Sequence, residues 1–293
     1  MAVTQVLGPV LFSDLIESPY TSASMHQTYP ELKPQLARSS QSRQGFVPAH
    51  LALIMDGNRR WAKKRLMPAA MGHARGAARV RDVVKTCIEL GIPNVSLFAF
   101  STENWRRPPE EVNALMKLFM TYLEREIDNL QASGVRLLVV GDQAPFHEHL
   151  KKLIGKAHTL TAANRRLTLM VCVNYGGRSD VLRAVSAWQA AHPGQTLQNA
   201  DEQSLARYLG TGDAPEVDLL VRTGGESRVS NFLLWQAAYA ELYFTDILWP
   251  DFDPQSLRDA VAWFIGRDRR LGGLASDSPV LDPRGASNNR SVP

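Results

Sequence analysis

The sequence predicts an α/β fold: a single domain with a central, mainly parallel six-stranded sheet flanked by helices. Three observations carry this reading. Short apolar runs alternate with amphipathic stretches six times, as in a parallel sheet covered on both faces. The strands stop abruptly at polar, glycine-rich or cationic residues, and in a parallel sheet those ends share one edge, where open α/β folds bind ligands. The chain has 293 residues, 44% hydrophobic and 21% charged, enough to bury a sizeable core.

Residues 1–47 are rich in Ser, Gln, Pro and Thr and read as a flexible N-terminal extension, with a short helix near Val10–Ile16. The first strand is the run Leu51–Met55, which meets Asp56-Gly57-Asn58-Arg59-Arg60-Trp61 without transition. Gly72-His73-Ala74-Arg75-Gly76 leads into a helix that runs to Leu90, with Val80, Val83, Val84, Cys87 and Ile88 on its buried stripe; Gly91 and Pro93 end it. Val95–Phe100 is the second strand, closed by Ser101-Thr102-Glu103-Asn104-Trp105-Arg106-Arg107-Pro108. A long helix follows over Pro109–Ala132, with Val112, Leu115, Met116, Phe119, Tyr122, Leu123, Ile127 and Leu130 at helical spacing. Such a broad apolar face fits either core or the wall of an apolar cavity.

Val135–Val140 is the third strand, followed by a helix over His147–Leu160. His147 and His149 stand two apart, face different sides of that helix and make a poor metal pair. Leu167–Val173 is the fourth strand, ending at Asn174-Tyr175-Gly176-Gly177-Arg178, and Asp180–Ala191 the next helix. A short helix over Ser204–Leu209 precedes the fifth strand, Val217–Val221, which ends at Arg222-Thr223-Gly224-Gly225-Glu226. Ser230 is placed to cap a helix over Asn231–Ala240. Leu242–Leu248 is the sixth strand and Pro254–Ile265 the last helix; the domain closes near residue 273, and 274–293 read as a disordered tail.

The strand-end edge collects Asp56, Asn58, Arg60, Ser101, Glu103, Asn104, Arg107, Asn174, Arg178, Arg222 and Glu226. Asp56 suits a divalent metal, because Mg²⁺ takes one or two carboxylates and fills its shell with phosphate oxygens and water. The arginines suit fork-like recognition of phosphate. Arg228-Val229-Ser230-Asn231, at the expected start of a helix, adds a second anion pocket with Arg222. No Gly-x-Ser-x-Gly elbow, phosphate loop or dinucleotide fingerprint is present. Two anion pockets beside apolar walls point to two amphiphilic substrates.

These stretches resemble the cis-prenyltransferase family, the undecaprenyl diphosphate synthases, over roughly residues 48–273. The resemblance rests on Met55–Ala62, Gly72-His73-x-x-Gly76, Phe98–Trp105 with Arg107-Pro108, Asn174–Arg178, and the run from Asp218 to Asp253. It implies Mg²⁺-dependent cis elongation of an allylic diphosphate such as farnesyl diphosphate by isopentenyl diphosphate units. By resemblance Asp56 is the metal aspartate, assisted by Glu241. Gly57, Asn58, Arg60 and His73 serve the allylic diphosphate, Arg222, Arg228 and Ser230 the isopentenyl diphosphate, and Arg59 and Trp61 count among the substrate-binding residues. Ser101, Thr102, Glu103, Asn104, Trp105 and Arg107 position the reacting groups and support proton loss, with Asn104 counted as catalytic beside Asp56. Ala99, Leu115, Met116, Phe119, Leu123 and Leu167 are expected to line a hydrophobic tunnel for the growing chain. The resemblance further implies a homodimer, around Glu241–Asp253. Two positions depart from the family pattern: Ala69 stands where relatives usually carry an arginine, and Ser179 where a tryptophan is common.

The net charge of +4 and pI near 9.1 suit an anionic partner. Nucleic acid is disfavoured, since the arginines fall singly at strand ends with no stacking platform. A non-catalytic partner subunit is the rival within the family, yet such subunits usually lose the Asp-Gly-Asn-x-Arg stretch. The first twenty residues contain Asp14 and Glu17 and no Lys or Arg, unlike a signal or transit peptide. No run nears the roughly 18 apolar residues of a membrane span. Cys87 and Cys172 read as reduced, buried thiols. A cytoplasmic protein with at most peripheral membrane contact is expected.

Overall fold

Apolar runs too short to bury themselves as helices assemble into one six-stranded sheet of order β3-β4-β2-β1-β5-β6. The strands are β1 (His50–Ile54), β2 (Asn94–Ser101), β3 (Val135–Val140), β4 (Leu167–Tyr175), β5 (Leu219–Arg222) and β6 (Glu241–Phe244). All five pairings are parallel. The structure, a computed structural model, describes residues 46–267. The expected Val10–Ile16 helix, the C-terminal tail and all but the last two residues of the N-terminal extension lie outside the described residues.

Every residue of β1 is buried, because both faces of the sheet are covered. Leu51 and Leu53 enter the larger core on one face, while Ala52 and Ile54 enter the core on the other, the period-two alternation of a strand. Strand order turns at β1: β2, β4 and β3 lie on one side of it, β5 and β6 on the other. Loops leaving β1 and β5 therefore diverge around a crevice at the carboxyl edge, the usual ligand position in open α/β sheets.

The covering helices are α1 (Asn58–Lys64), α2 (Ala69–Leu90), α3 (Pro109–Ala132), α4 (Glu148–Thr161), α5 (Gly177–Ala191), α6 (Glu202–Ala206) and α7 (Pro254–Ile265). The polar run that follows β1 forms the helix α1 from Asn58 onward, and α2 starts at Ala69, before Gly72. The short helix expected over Ser204–Leu209 is α6, displaced toward its Asp201 cap, whose carboxylate accepts from the Ser204 amide at 2.6 Å.

Two expectations at the end of the domain are corrected. No regular helix spans Asn231–Ala240. Ser230, Asn231 and Leu233 take positive φ values of 49°, 63° and 43°, and the segment proceeds as a series of turns. Tertiary bonds impose that path: the Gly177 amide donates to the Asn231 carbonyl at 2.7 Å, the Arg178 amide donates to Asn231 Oδ1 at 3.0 Å, and Phe232 and Leu233 are fully buried. The helix N-terminus that was to bind an anion at Arg228–Asn231 is therefore absent. The sixth strand, expected as Leu242–Leu248, ends at Phe244. Beyond it the chain curls so that the Thr245 and Ile247 carbonyls accept the Gly225 and Gly224 amides at 2.9 and 2.8 Å.

Cys87 and Cys172 are buried and unbridged, and His147 and His149 lie on the surface. Among the described residues, no helix is long and apolar enough to cross a membrane.

Candidate active site

The carboxyl edge opens into a cavity of about 1260 Å³, beyond the roughly 300–1,000 Å³ of pockets for drug-sized ligands. Its mouth carries Asp56, Asn58, Arg59, Arg60, Lys63, His73, Ser101, Glu103, Asn104, Arg107, Arg222, Arg228 and Ser230. Six of these are Lys or Arg and two are carboxylates, so the mouth favours an anion. Its depth is apolar, walled by Ala99 and Val173 from the sheet and by Leu115, Met116, Phe119 and Tyr122 from α3.

Asp56 stands at the centre of the mouth. Its Oδ2 accepts from Arg222 Nη2 at 2.9 Å, and its Oδ1 accepts from the Gly57 amide at 2.6 Å and pairs with Arg60 Nη2 at 3.2 Å. Burial alone would raise its pKa, but hydrogen bonding and charge from Arg222, with Arg60 behind it, hold the carboxyl below its ordinary value. The backbone is pinned too: the Asp56 amide donates to Thr223 Oγ1 at 3.0 Å and the Thr223 hydroxyl donates to the Asp56 carbonyl at 2.8 Å. Gly224 has φ 89°, and a Cβ there would lie 2.7 Å from Arg60 Nη2, so glycine leaves room for the arginine beside Asp56.

Arg222, at the end of β5 and only 4% exposed, ties three loops together. Besides Asp56 it donates through Nη1 to the Arg228 carbonyl at 2.6 Å and to Ser230 Oγ at 2.7 Å. Arg228 and Ser230 thus reach the mouth through a turn rather than a helix end. Across the mouth, Arg107 donates to Glu111 at 2.9 Å, and Arg59 stands 3.7 Å from the same carboxylate. Glu111, which sequence reasoning missed, bridges the two lips; its one signal was its spacing of four from Arg107. Asn231, named only as part of the Arg228–Asn231 stretch, reaches the loop after β2, where its Nδ2 donates to Glu103 Oε1 at 3.0 Å.

Three buried polar atoms at this mouth have no partner: Asn58 Oδ1, His73 Nε2 and Arg222 Nε. Buried polar groups are normally satisfied, so such a cluster marks where a ligand bonds. His73 is further held below its ordinary pKa, chiefly by burial and then by the charge of Arg107.

Several expected site residues lie elsewhere. Trp61 turns outward; its Nε1 donates to Asp251 at 2.6 Å and Arg65 stacks over its ring at 4.2 Å, bracing α1. Trp105 donates to Asn174 Oδ1 at 2.8 Å and packs edge-on against Phe100, so it and Thr102 support the loop after β2 rather than line the cavity. Leu123 and Leu167, expected in the tunnel, are 1% exposed and belong to the core. Glu241 begins β6 in register with Leu219, three residues before the Phe244–Arg222 pair. That is the far end of the strand from Asp56, and its carboxylate accepts from Arg267 Nε at 3.3 Å. Within the chain, Glu241 does not join Asp56. Ala69 lines the mouth as the first residue of α2, and Ser179 donates to the Gly176 carbonyl at 2.8 Å.

Among the described residues no three His, Cys, Asp or Glu side chains gather as a metal cage. One carboxylate flanked by anion-binding groups still fits Mg²⁺, which draws its other ligands from phosphate and water. Asp56 is the residue that would hold it.

Comparison with known proteins agrees with this chemistry. The Prenyltransf family model, undecaprenyl diphosphate synthase, matches residues 54–272. The isoprenyl transferase of Nitrosomonas europaea is 50% identical over 228 residues, covering 78% of this chain and 86% of that one. The farnesyl-diphosphate-specific ditrans,polycis-undecaprenyl-diphosphate synthase of Aliivibrio fischeri is also 50% identical, covering 77% and 89%. Among solved structures, lavandulyl diphosphate synthase of Lavandula x intermedia, in complex with dimethylallyl diphosphate, superposes with a TM-score of 0.73 at 34% identity, over 77% of this chain and 98% of that one. A probable undecaprenyl diphosphate synthase of Campylobacter jejuni gives 0.66 at 30% identity, with the same coverage. With the metal-ready aspartate, the cationic mouth and the family match in agreement, the chain belongs to the undecaprenyl diphosphate synthase family and is a transferase of prenyl groups.

Proposed function

We propose that the protein extends an allylic diphosphate, farnesyl diphosphate in the first instance, by successive cis additions of isopentenyl diphosphate to give a long polyprenyl diphosphate. The observation that carries this reading is one cavity of about 1260 Å³ with a cationic mouth holding three unpartnered polar atoms and an apolar interior. That volume favours a long product over a single short condensation.

When bound, Mg²⁺ at Asp56 would neutralise charge on the leaving diphosphate and make the allylic carbon electrophilic. Asn58, Arg59, Arg60 and His73 would grip that diphosphate, and the free Asn58 Oδ1 would accept a hydrogen bond from a water. Arg222, Arg228 and Ser230 would seat the diphosphate of isopentenyl diphosphate, with Arg222 Nε as an unused donor. The double bond of isopentenyl diphosphate attacks the allylic carbon, the allylic C–O bond breaks, and a proton leaves the new unit. Ser101 at the end of β2 and Glu103 and Asn104 just beyond it line this space and would orient the reacting groups. Burial opposes ionisation of Glu103, but its backbone amide and the Asn231, Ser101 and Thr102 side chains lower its pKa, so it stays an acceptor. The α3 wall and Ala99 would receive the hydrocarbon.

We further propose that the enzyme is a homodimer. The outer edge of β6 has no strand partner among the described residues, and the apolar Leu242 and Ile247 beside it are 40% and 37% exposed. A partner copy is also the available route for Glu241 to reach an Asp56.

Asp56→Ala tests the assignment. Elongation of farnesyl diphosphate with labelled isopentenyl diphosphate should be Mg²⁺-dependent in the wild type and fall on the order of 10²- to 10³-fold in the variant. Undiminished turnover in the variant would refute the role of the aspartate, and absence of any product from the wild type would refute the function.

A further inference from the structure

We infer that the turn joining α1 to α2 is a docking edge for an anionic lipid surface. This turn combines an exposed apolar tip, a leucine in the left-handed region and cations without carboxylate partners. Residues 63–68 form an unbroken exposed run, in which Leu66 is 97% and Met67 43% exposed, with Met71 one turn into α2 at 53%. Leu66 also has a positive φ of 55°. Its amide donates to the Lys63 carbonyl at 3.1 Å and the Met67 amide to the Ala62 carbonyl at 3.0 Å, the paired bonds of a helix C-terminus that ordinarily places glycine in the left-handed position. A leucine there is strained and gains no packing within the chain. The strain is explained if the side chain has a partner outside the chain.

The charge around this apolar tip identifies that partner. From Gly57 to Arg81 the sequence contains eight Lys or Arg residues and no Asp or Glu. Arg59, Arg60, Arg65, Arg79 and Arg81 find carboxylates on the chain. Among the described residues Lys63, Lys64 and Arg75 have none, and all three are exposed. An apolar tip ringed by uncompensated cations matches a bilayer of anionic lipid, with leucine and methionine entering the acyl boundary and lysines meeting headgroups. Leu66 and Met67 also line the cavity, so a docked tip would set the cavity mouth against the membrane. In giving that docking a purpose, the delivery of a product too apolar for water, the inference rests on the proposed function; the binding itself does not.

Sedimentation of the full chain with vesicles, without substrate, tests the docking apart from the reaction. The wild type should sediment with phosphatidylglycerol-containing vesicles, weakly with pure phosphatidylcholine, and less as salt rises. Leu66→Gly should keep or raise the melting temperature, since glycine suits the backbone, while vesicle affinity falls about tenfold or more. Lys64→Glu, outside the cavity, should lose about fivefold or more in affinity and retain elongation in detergent. Failure of the wild type to bind anionic vesicles, equal binding to both vesicle types, or wild-type affinity in both variants would overturn the inference. Self-association of the free protein that Leu66→Gly abolishes would assign the tip to a second copy and overturn it too. Anionic-vesicle binding by a protein that makes no polyprenyl product would sustain the docking and count against the proposed function alone.

Discussion

Asp56 and Arg222 bond to each other at 2.9 Å in a mouth that must also accept phosphate, so each is both structural and available. Arg222 makes one fork of three bonds, to Asp56, the Arg228 carbonyl and Ser230. A lysine would keep the charge but not the planar fork. Arg222→Lys should therefore raise KM for isopentenyl diphosphate by about 10- to 100-fold, the value of one or two charge-assisted bonds at about 1.5–3 kcal/mol, with a smaller change in KM for the allylic substrate. Steady-state kinetics in both substrates checks this; equal shifts would mean that the fork only shapes the mouth. Asp56 and Arg222 were legible in the sequence because each breaks an apolar run at a strand end. Glu111 was not, since a glutamate in the first turn of a helix looks like an ordinary favourable charge there. Trp61 was misread in the opposite way: the motif singled it out, but its neighbours in space, Asp251 and Arg65, draw it out of the cavity.

Elements were read well where hydrophobic period alone decides them and poorly where contacts distant in sequence override it. The first four strands and α3 follow their apolar spacing closely. Asn231–Ala240 has an acceptable helical composition, but Gly177 and Arg178 capture Asn231 and force left-handed backbone. Period also shows which face of α3 is apolar without showing what that face meets. Leu115, Met116 and Phe119 meet a cavity, whereas Leu123, a turn later, meets packed core. Ala99 owes its place to an irregularity that no pattern reveals: β2 slips register between Phe98 and Phe100, and the residue between them faces the cavity, where it is exposed. Its methyl leaves the passage beside α3 open. Ala99→Leu adds bulk on the proposed path of the hydrocarbon, and filled space resists further atoms. The variant should release shorter products, with the rate of the first condensation changed less than the length distribution, read by chromatography of the dephosphorylated prenols. An unchanged distribution would mean that the chain grows by another route.

For the molecule as a whole, the histidines make a forecast that separates their contribution from that of the carboxylates. His50 opens the central strand and is fully buried. Its ring nitrogens lie 2.7 Å from the Pro215 carbonyl and 2.8 Å from Ser96 Oγ. Burial holds its pKa below 6.5 even though Pro215 and Asp218 pull the other way. His73 and His158 are lowered too, each chiefly by burial. A histidine lowered on folding binds fewer protons in the native than in the unfolded chain. Its contribution is whole above the unfolded value, about 6.5, and is lost as pH falls from there through the folded value. Asp56 has the same sign in a lower window: its contribution is present above about 3.9 and lost as pH falls through its depressed native value. Stability should therefore decline in two stages on acidification, the first below about pH 6.5 from the histidines and the second below about pH 4 from the carboxylates. His50→Gln should be less stable than the wild type at pH 7 yet decline less steeply through the first stage, leaving the second unchanged. Denaturant unfolding followed by tryptophan fluorescence across pH 3 to 8 would show this, and a variant with the wild-type slope between pH 6.5 and 4.5 would shift the first stage to His73 and His158. Because His73 lies at the cavity mouth and His50 at the opposite, amino end of β1, a bound diphosphate should move only the His73 share of that stage, tying the acid response of the fold to occupancy of its site.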